Sequence, residues 1–176
     1  PTHMCLDEAL TAARRIGVLI YGSADNRASQ AQATALREGL KEAGWIEGRN
    51  LRIDLRFDSD LERIRVRAEE LVGAAPDVIV VNTNSAAKAL QHATRTLPIV
   101  FAGVGDPVAS GLVASLNRPG GNITGITNLF FSIGGKWLEL LKEAAPRLAR
   151  VAIMFNPDLI SREDWFAAIE EAAPMF

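Results

Sequence analysis

The chain has 176 residues, a formal net charge of −2, 48% hydrophobic and 23% charged residues, an ordinary globular composition with enough apolar material for a buried core. There is no basic surplus to hold nucleic acid, and Arg63, Arg65 and Arg67 sit among acids on what reads as a solvated helix. No run is long and apolar enough to cross a bilayer, and none has the basic-then-apolar form of a secretory signal, which leaves a cytoplasmic place or a signal already removed. Cys5 is the one cysteine, so an intrachain disulfide is excluded. Pro1–Met4, PTHM, reads as a tag remnant and is set aside.

Arg15–Tyr21, RIGVLIY, is a continuous apolar run ending at Gly22 and Ser23, which predicts a buried strand. A helix pattern follows from about Ala28 to Ala43, with Leu36 and Leu40 on one face and Gly44 as its stop. Leu51–Phe57 alternates strictly, with Leu51, Ile53, Leu55 and Phe57 apolar and Arg52, Asp54 and Arg56 polar, as expected of an edge strand with one wet face. Ser59 with Glu62 makes a capping box for a helix that runs to about Ala74, where Pro76 prevents continuation.

The stretch Pro76–Val108, PDVIVVNTNSAAKALQHATRTLPIVFAGVGDPV, organises the chain. Its two β-branched runs, Val78–Val81 and Pro98–Phe101, are apolar on both faces and suit parallel strands covered by helices on each side. The helix pattern Ser85–Arg95 between them makes a strand, crossover, strand unit. Asp106 as N-cap and Pro107 at the first helical position then predict a short helix broken by Pro119, Gly120 and Gly121. Asn122–Asn128 is a candidate fifth strand with Gly125 inside it. Ser132–Ala145 predicts a helix with Trp137, Leu138 and Leu141 on its apolar face; Arg150–Phe155, RVAIMF, is a sixth apolar run, and Ser161 with Asp164 opens a last helix. The pattern implies an α/β fold, a doubly wound parallel sheet of order 2-1-3-4-5 with right-handed crossovers.

In such sheets, ligands sit beyond the carboxyl ends of the strands where the order reverses, here between the first and third. That edge carries Gly22, Ser23, Asn82, Thr83, Asn84, Ser85 and Asp106. Free amides and hydroxyls at the Thr83–Ser85 helix start suit a carboxylate or phosphate, and Asp106 suits an ammonium group, so a zwitterion satisfies both. Ordinary capping accounts equally well for Asn82, Thr83 and Ser85, and for the Asp106–Pro107 pair. Tyr21, Phe130 and Phe131 are candidates either to stack on an apolar ligand group or to fill core.

Cofactor chemistry finds no support. Gly103 and Gly105 imitate the start of a dinucleotide fingerprint, but Val108 stands in the third glycine's place, Asp106 would repel phosphate and Pro107 removes an amide. With two histidines, His3 and His92, and one cysteine, no metal-ligand spacing is formed. His92 reads as a surface or boundary helix residue. Asp54 and Asp58 are better explained by solvation than as a catalytic carboxylate pair.

The runs RIGVLIYGS, LREGLKEAGWIEGRNL, PDVIVVNTNSAAKAL, LPIVFAGVGDPVASGLVASLNRPGGNITGI and LELLKEAAPRLARVAIMFNP resemble the ABC-transporter substrate-binding family related to tryptophan and tyrosine binders. The resemblance spans about Arg15 to Asp158 and is most specific in DPVASGLVASLNRPGGNITG. It implies the type 1 periplasmic binding fold, two α/β lobes closing on a solute, with residues 15–130 as the first lobe and 131–176 as the start of a second. It also implies ligand contacts at Gly22, Ser23, Thr83, Asn84 and Ser85, near Asp106, and around Asn156, Asp158 and Ser161. The family's small polar set after the NP pair is replaced here by Leu159 and Ile160.

A βαβ unit takes roughly 30 residues, so the stretch from Ser132 onward is expected to supply about one unit of the second lobe. Arg150–Phe155 is then expected to add to the first sheet or to pair with another chain, giving a homodimer. The function expected is a non-catalytic, extracytoplasmic solute-binding component of an ABC importer. It would work with a permease and no cofactor, and hold a small amphipathic solute such as an aromatic amino acid. A ligand-sensing domain of a regulator and a small flavodoxin-like enzyme are the alternatives.

Overall fold

The β-branched runs and the amphipathic segments between them form one parallel sheet with helical crossovers. The structure, a computed structural model, describes residues 13–154 and 162–175. In chain order it contains β1 (Arg14–Tyr21), α1 (Arg27–Glu42), β2 (Leu51–Asp58), α2 (Leu61–Gly73), β3 (Val78–Val81), α3 (Asn84–Ala93), β4 (Ile99–Gly105), β5 (Ile123–Leu129), α4 (Ile133–Ala144), α5 (Arg162–Ala172) and a closing 3₁₀ turn at Ala173–Met175. The sheet order is β2-β1-β3-β4-β5 and every pairing is parallel, as the alternating pattern predicted.

On one face Leu19, Ile79, Val81, Ile99, Phe101 and Ile123 pack against Ile64, Ala68 and Leu71 of α2 and Ala86, Ala87 and Leu90 of α3. Each fully buried Leu or Ile here contributes on the order of 2 kcal/mol. The opposite face carries α1, whose Ala33, Leu36 and Leu40 cover Val18, Ile20 and Val80. Helices thus enclose β1 from both sides. Over β4 and β5 the α1 face has no helix among the described residues, and Ile126 is 74% exposed there.

β2 lies at the edge, paired with β1, as its alternation required. Its polar face is not simply wet. Asp58 is only 6% exposed, and its carboxylate meets Arg63 Nε at 3.2 Å and Arg67 Nε at 3.6 Å. The expectation of a solvated Asp58 beside a merely solvated arginine helix is therefore corrected: α2 packs beside β2 and two of its guanidinium groups close over the strand's last carboxylate. The capping box also moves by one residue. Asp60 is the N-cap, accepting from Arg63 N at 2.9 Å, while Glu62 pairs with Arg65. Asp caps as well as Ser, and the Asp60 amide donates to Asp58 Oδ1, which fixes the turn at that point.

β4 continues through Gly105 rather than ending at Phe101, with register shifts between Ala102 and Gly105 and a positive φ of 87° at Gly103. The helix predicted after Asp106 does not form. Leu112 N donates to Pro107 O and Gly111 N to Val108 O, the paired bonds that end a helix, and they close the chain after a single turn at Gly111, φ 69°. Gly125 is required inside β5 by close approach: a Cβ there would lie 2.0 Å from Phe101 O and 2.6 Å from the Phe101 ring.

The described part of the sixth apolar run, 150–154, pairs with no strand, so joining the first sheet is ruled out for those residues. Phe155 and the Ser161 helix start lie outside the described residues. Beyond β5, α4 packs on α5 around Phe131 and Ile169, with Leu138, Ile153 and Phe166 against them. Gly134 permits this, since a Cβ would stand 2.4 Å from Ile169 Cγ1. Of the predicted apolar face of α4, Leu138 is half-buried while Trp137 and Leu141 are exposed.

Two outcomes follow. Gly125→Ala should cost about 3 kcal/mol through the forced separation of β4 and β5, lowering Tm by about 10 °C in thermal denaturation. At the opposite edge, Asp77 accepts from Arg15 N at 2.7 Å and from Arg14 Nη1 at 3.0 Å. The Arg15 amide first, and then the Arg14 guanidinium, hold its carboxyl below the usual carboxylate range. A carboxyl whose native pKa is lowered stabilises the fold above its unfolded pKa, and that contribution is lost as pH falls below about 4 through the native value. Asp77→Asn should therefore flatten the acid limb of the stability profile, read by urea unfolding at a series of pH values, while changing its shape little near neutrality.

Candidate functional site

Because all five strands are parallel, their carboxyl ends share one edge, and β1, β3 and β4 are adjacent in the sheet. Tyr21, Val81 and Gly105 are the last residues of those strands, so Gly22, Ser23, Asn82, Thr83, Asn84, Ser85 and Asp106 are all brought to a single rim.

Gly22 turns the chain at φ 136°, where a Cβ would meet Ser29 Oγ at 2.2 Å. Its amide donates to Asp58 O at 2.9 Å, tying the ends of β1 and β2 together. Ser23 is exposed, and its Oγ accepts from Asp25 N. Asn26 caps α1 by accepting from Ala28 N and Ser29 N. Asn82 bridges the point where strand order reverses: Oδ1 accepts from Tyr21 N and Nδ2 donates to Gln32 Oε1, each at 2.8 Å.

Thr83 is the N-cap of α3. Its Oγ1 accepts from Ala86 N at 3.3 Å and shares a hydrogen bond with Ser85 Oγ. Asn84 Oδ1 accepts from Gly105 N at 2.9 Å, and its Nδ2 donates to Gly105 O at 2.7 Å and to Ser110 Oγ. The Asn84 amide thereby extends β4 as a neighbouring strand would, and the buried Ser110 hydroxyl completes the cluster by donating to the same carbonyl. Among the described residues no acceptor is recorded for the Asn84 and Ser85 amides, the first two of α3. They leave the partly positive end of the helix open at the rim.

Asp106 has φ 29°. Its Oδ1 accepts from Ala109 N at 3.1 Å and its Oδ2 from Phe131 N at 3.3 Å, while its own amide donates to Leu129 O at 2.8 Å. Of the aromatics, Tyr21 packs against the core and Phe131 is buried, whereas Phe130 is 41% exposed just beyond β5. Asn156, Asp158 and Ser161 lie outside the described residues. Among the described residues no group of His, Cys, Asp and Glu is placed to hold a metal ion, His92 is exposed on α3, and no helix is long and apolar enough to cross a membrane.

Gln32 and Ser110 were not anticipated. Ser110 lies 26 residues from Asn84, inside a turn that the sequence pattern presented as a helix, so no spacing linked the two. Gln32 sits on α1 in an ordinary polar position.

A family model described as ABC transporter substrate binding protein matches residues 15–172. The chain belongs to this family. It is 34% identical over 120 residues to the tyrosine-binding protein of Clostridioides difficile strain R20291, an alignment covering 68% of this chain and 34% of that protein. Among solved structures, a conserved domain protein from Vibrio cholerae O1 biovar El Tor is 32% identical with a TM-score of 0.80, covering 93% of this chain and 54% of that one. A Streptococcus pneumoniae ABC domain in complex with L-Trp is 26% identical with a TM-score of 0.74, covering 91% and 54%. The chain thus spans about half the length of these solved chains. The family membership and the periplasmic-binding-type α/β fold agree with what the sequence motifs implied.

Asn84→Ala should cost about 2 kcal/mol, since it takes the acceptor from the Gly105 amide at a half-buried site and leaves the Gly105 carbonyl with the Ser110 hydroxyl as its remaining side-chain donor. Chemical denaturation should show a lower midpoint with an unchanged slope.

Proposed function

We propose that this chain carries the first-lobe binding surface of a solute-binding component of an ABC importer, holding a small amphipathic solute and performing no chemistry on it. The observation that carries the reading is the open N-terminus of α3, where the free Asn84 and Ser85 amides stand beside the Thr83 and Ser85 hydroxyls at the reversal of strand order. Such a terminus binds a carboxylate through its amides and dipole. Ser23 adds an exposed hydroxyl, and Phe130 offers an exposed ring face for an aromatic side chain.

Asn82 and Asn84, whose side chains are committed to Tyr21, Gln32, Gly105 and Ser110, hold this rim in shape. Aromatic amino acids are the first class to test, given the tyrosine binder and the L-Trp complex among similar proteins. A second lobe closing over the rim would bury the ligand, and an extracytoplasmic setting with a permease partner follows from the importer role.

Titration of the ¹⁵N-labelled chain with L-tryptophan tests this. The Ser23, Asn84, Ser85 and Phe130 amides are expected to shift together, with a Kd on the order of a millimolar because one lobe covers one side of a ligand. Failure of those amides to move, or equal shifts with tryptamine, which lacks the carboxylate, would sink the reading.

A further inference from the structure

Asp106 is the one rim residue whose side chain reaches out of its own loop to the segment leading into α4 and α5. Two hydrogen bonds join it to that segment, the Asp106 amide to Leu129 O and the Phe131 amide to Asp106 Oδ2, and two hold its own turn, the Ala109 amide to Asp106 Oδ1 and the Ser110 amide to the Asp106 carbonyl. The residue tolerates φ 29° to do so, a left-handed conformation that Asp and Asn enter more readily than other side-chain-bearing residues.

Phe131 is the hub on the far side. The residue is 4% exposed and forms a buried cluster with Ile169 of α5, against which Leu138 of α4 and Leu129 of β5 pack. On the sheet side it lies so close to Gly105 that a Cβ there would be 3.2 Å from ring Cε1. One residue therefore plugs into both the carboxyl end of β4 and the α4–α5 core. Next to it, Ser132 gives α4 no side-chain cap, and Gly134 and Gly135 follow. The Phe131 carbonyl accepts from the Gly134 amide at 3.0 Å, so Phe131 is tied to the first turn of α4 as well as to Asp106.

We infer that the Asp106 carboxylate is the strut that sets the angle at which the α4–α5 pair leaves the sheet. It is a positioning residue for the cleft, with its charge directed at backbone amides and not at a ligand's ammonium group. A carboxylate accepting from the Phe131 amide fixes that residue's backbone, and the buried residue passes the orientation on to α4 and α5. The inference goes beyond the binding reading and needs no ligand.

Its test is made on the ligand-free chain. Asp106→Ser keeps a hydroxyl short enough to cap Ala109 but too short to reach Phe131, and so separates the strut from the turn. With Cys5→Ser as background, spin labels at positions 38 on α1 and 170 on α5 report the angle by pulsed dipolar spectroscopy, and amide hydrogen exchange reports Phe131 directly. In the unsubstituted chain the Phe131 amide should exchange more slowly than that of exposed Ser132.

In Asp106→Ser the Phe131 amide should exchange roughly tenfold faster and the distance distribution should broaden, while the exchange of β1 and β3 amides stays as before. An unchanged distribution with unchanged Phe131 exchange overturns the inference, as does an unprotected Phe131 amide in the unsubstituted chain, which requires no variant to fold. Neither readout depends on a solute, so failure of tryptophan to bind would leave this result standing, and the reverse also holds.

Discussion

Parallel pairing of β1 with both β2 and β3 is the constraint on which the rest of this molecule depends. Once three consecutive strands run in the same direction with right-handed crossovers, α1 must cross one face of the sheet and α2 the other. The loops after β1 and β3 then leave toward opposite faces, and a crevice opens between them at the carboxyl edge. The buried runs Ile16–Ile20 and Val78–Val81 make that pairing favourable, and no polar residue at the rim is needed to explain it. The binding edge is thus a consequence of the core.

The crevice would be floppy if loops alone bounded it. Instead, three side chains substitute for strand neighbours where the ladders run out. Asn82 receives the Tyr21 amide, Asn84 takes both polar atoms of Gly105, and Asp106 receives the Phe131 amide. Each satisfies a backbone group that pairing has left at a strand end, and unsatisfied groups there would cost roughly 1–3 kcal/mol apiece. The rim therefore separates into side chains that build it and the first α3 amides, which are left open among the described residues beside hydroxyls of Ser23, Thr83 and Ser85 that make only local hydrogen bonds. Asparagine and aspartate serve the first purpose because a short side chain with a carbonyl oxygen copies the backbone acceptor it replaces.

Sheet order, edge strand and helix positions were legible because they follow from periodicity, which each segment carries within itself. The alternation of Leu51–Phe57 marked the edge, and the two uninterrupted runs of the organising unit marked the centre. What periodicity does not carry is the identity of a partner. Asp58 continues the polar face of its strand and looked solvated, yet Arg63 and Arg67 of the next helix close over it. Asp106–Pro107 has the form of a helix start, and the cap bond to Ala109 does form, but Gly111 ends the turn before a helix exists. The placement of the rim residues on one edge was readable from topology. Which of them are already spoken for was not, because Gly105, Gln32 and Phe131 come from distant parts of the chain.

The two faces of the sheet also differ in how far helices cover them. The α2–α3 face is closed, and its residues are almost entirely dry. Among the described residues the other face has α1 alone, and a groove of about 410 Å3 runs beside that helix over Val80 and Ala102. A β4–β5 pair with one dry and one open face loses part of the burial that normally stabilises parallel strands, which are rarely stable unless covered on both sides. The compensation visible here is local: Gly125 lets β5 press against Phe101, and Thr127 Oγ1 donates to Val104 O across the bulge at 2.7 Å. Those contacts hold β5 in place where packing from above is lacking. Since Leu129 and Phe131 continue directly from β5, the same contacts fix the point from which α4 and α5 depart.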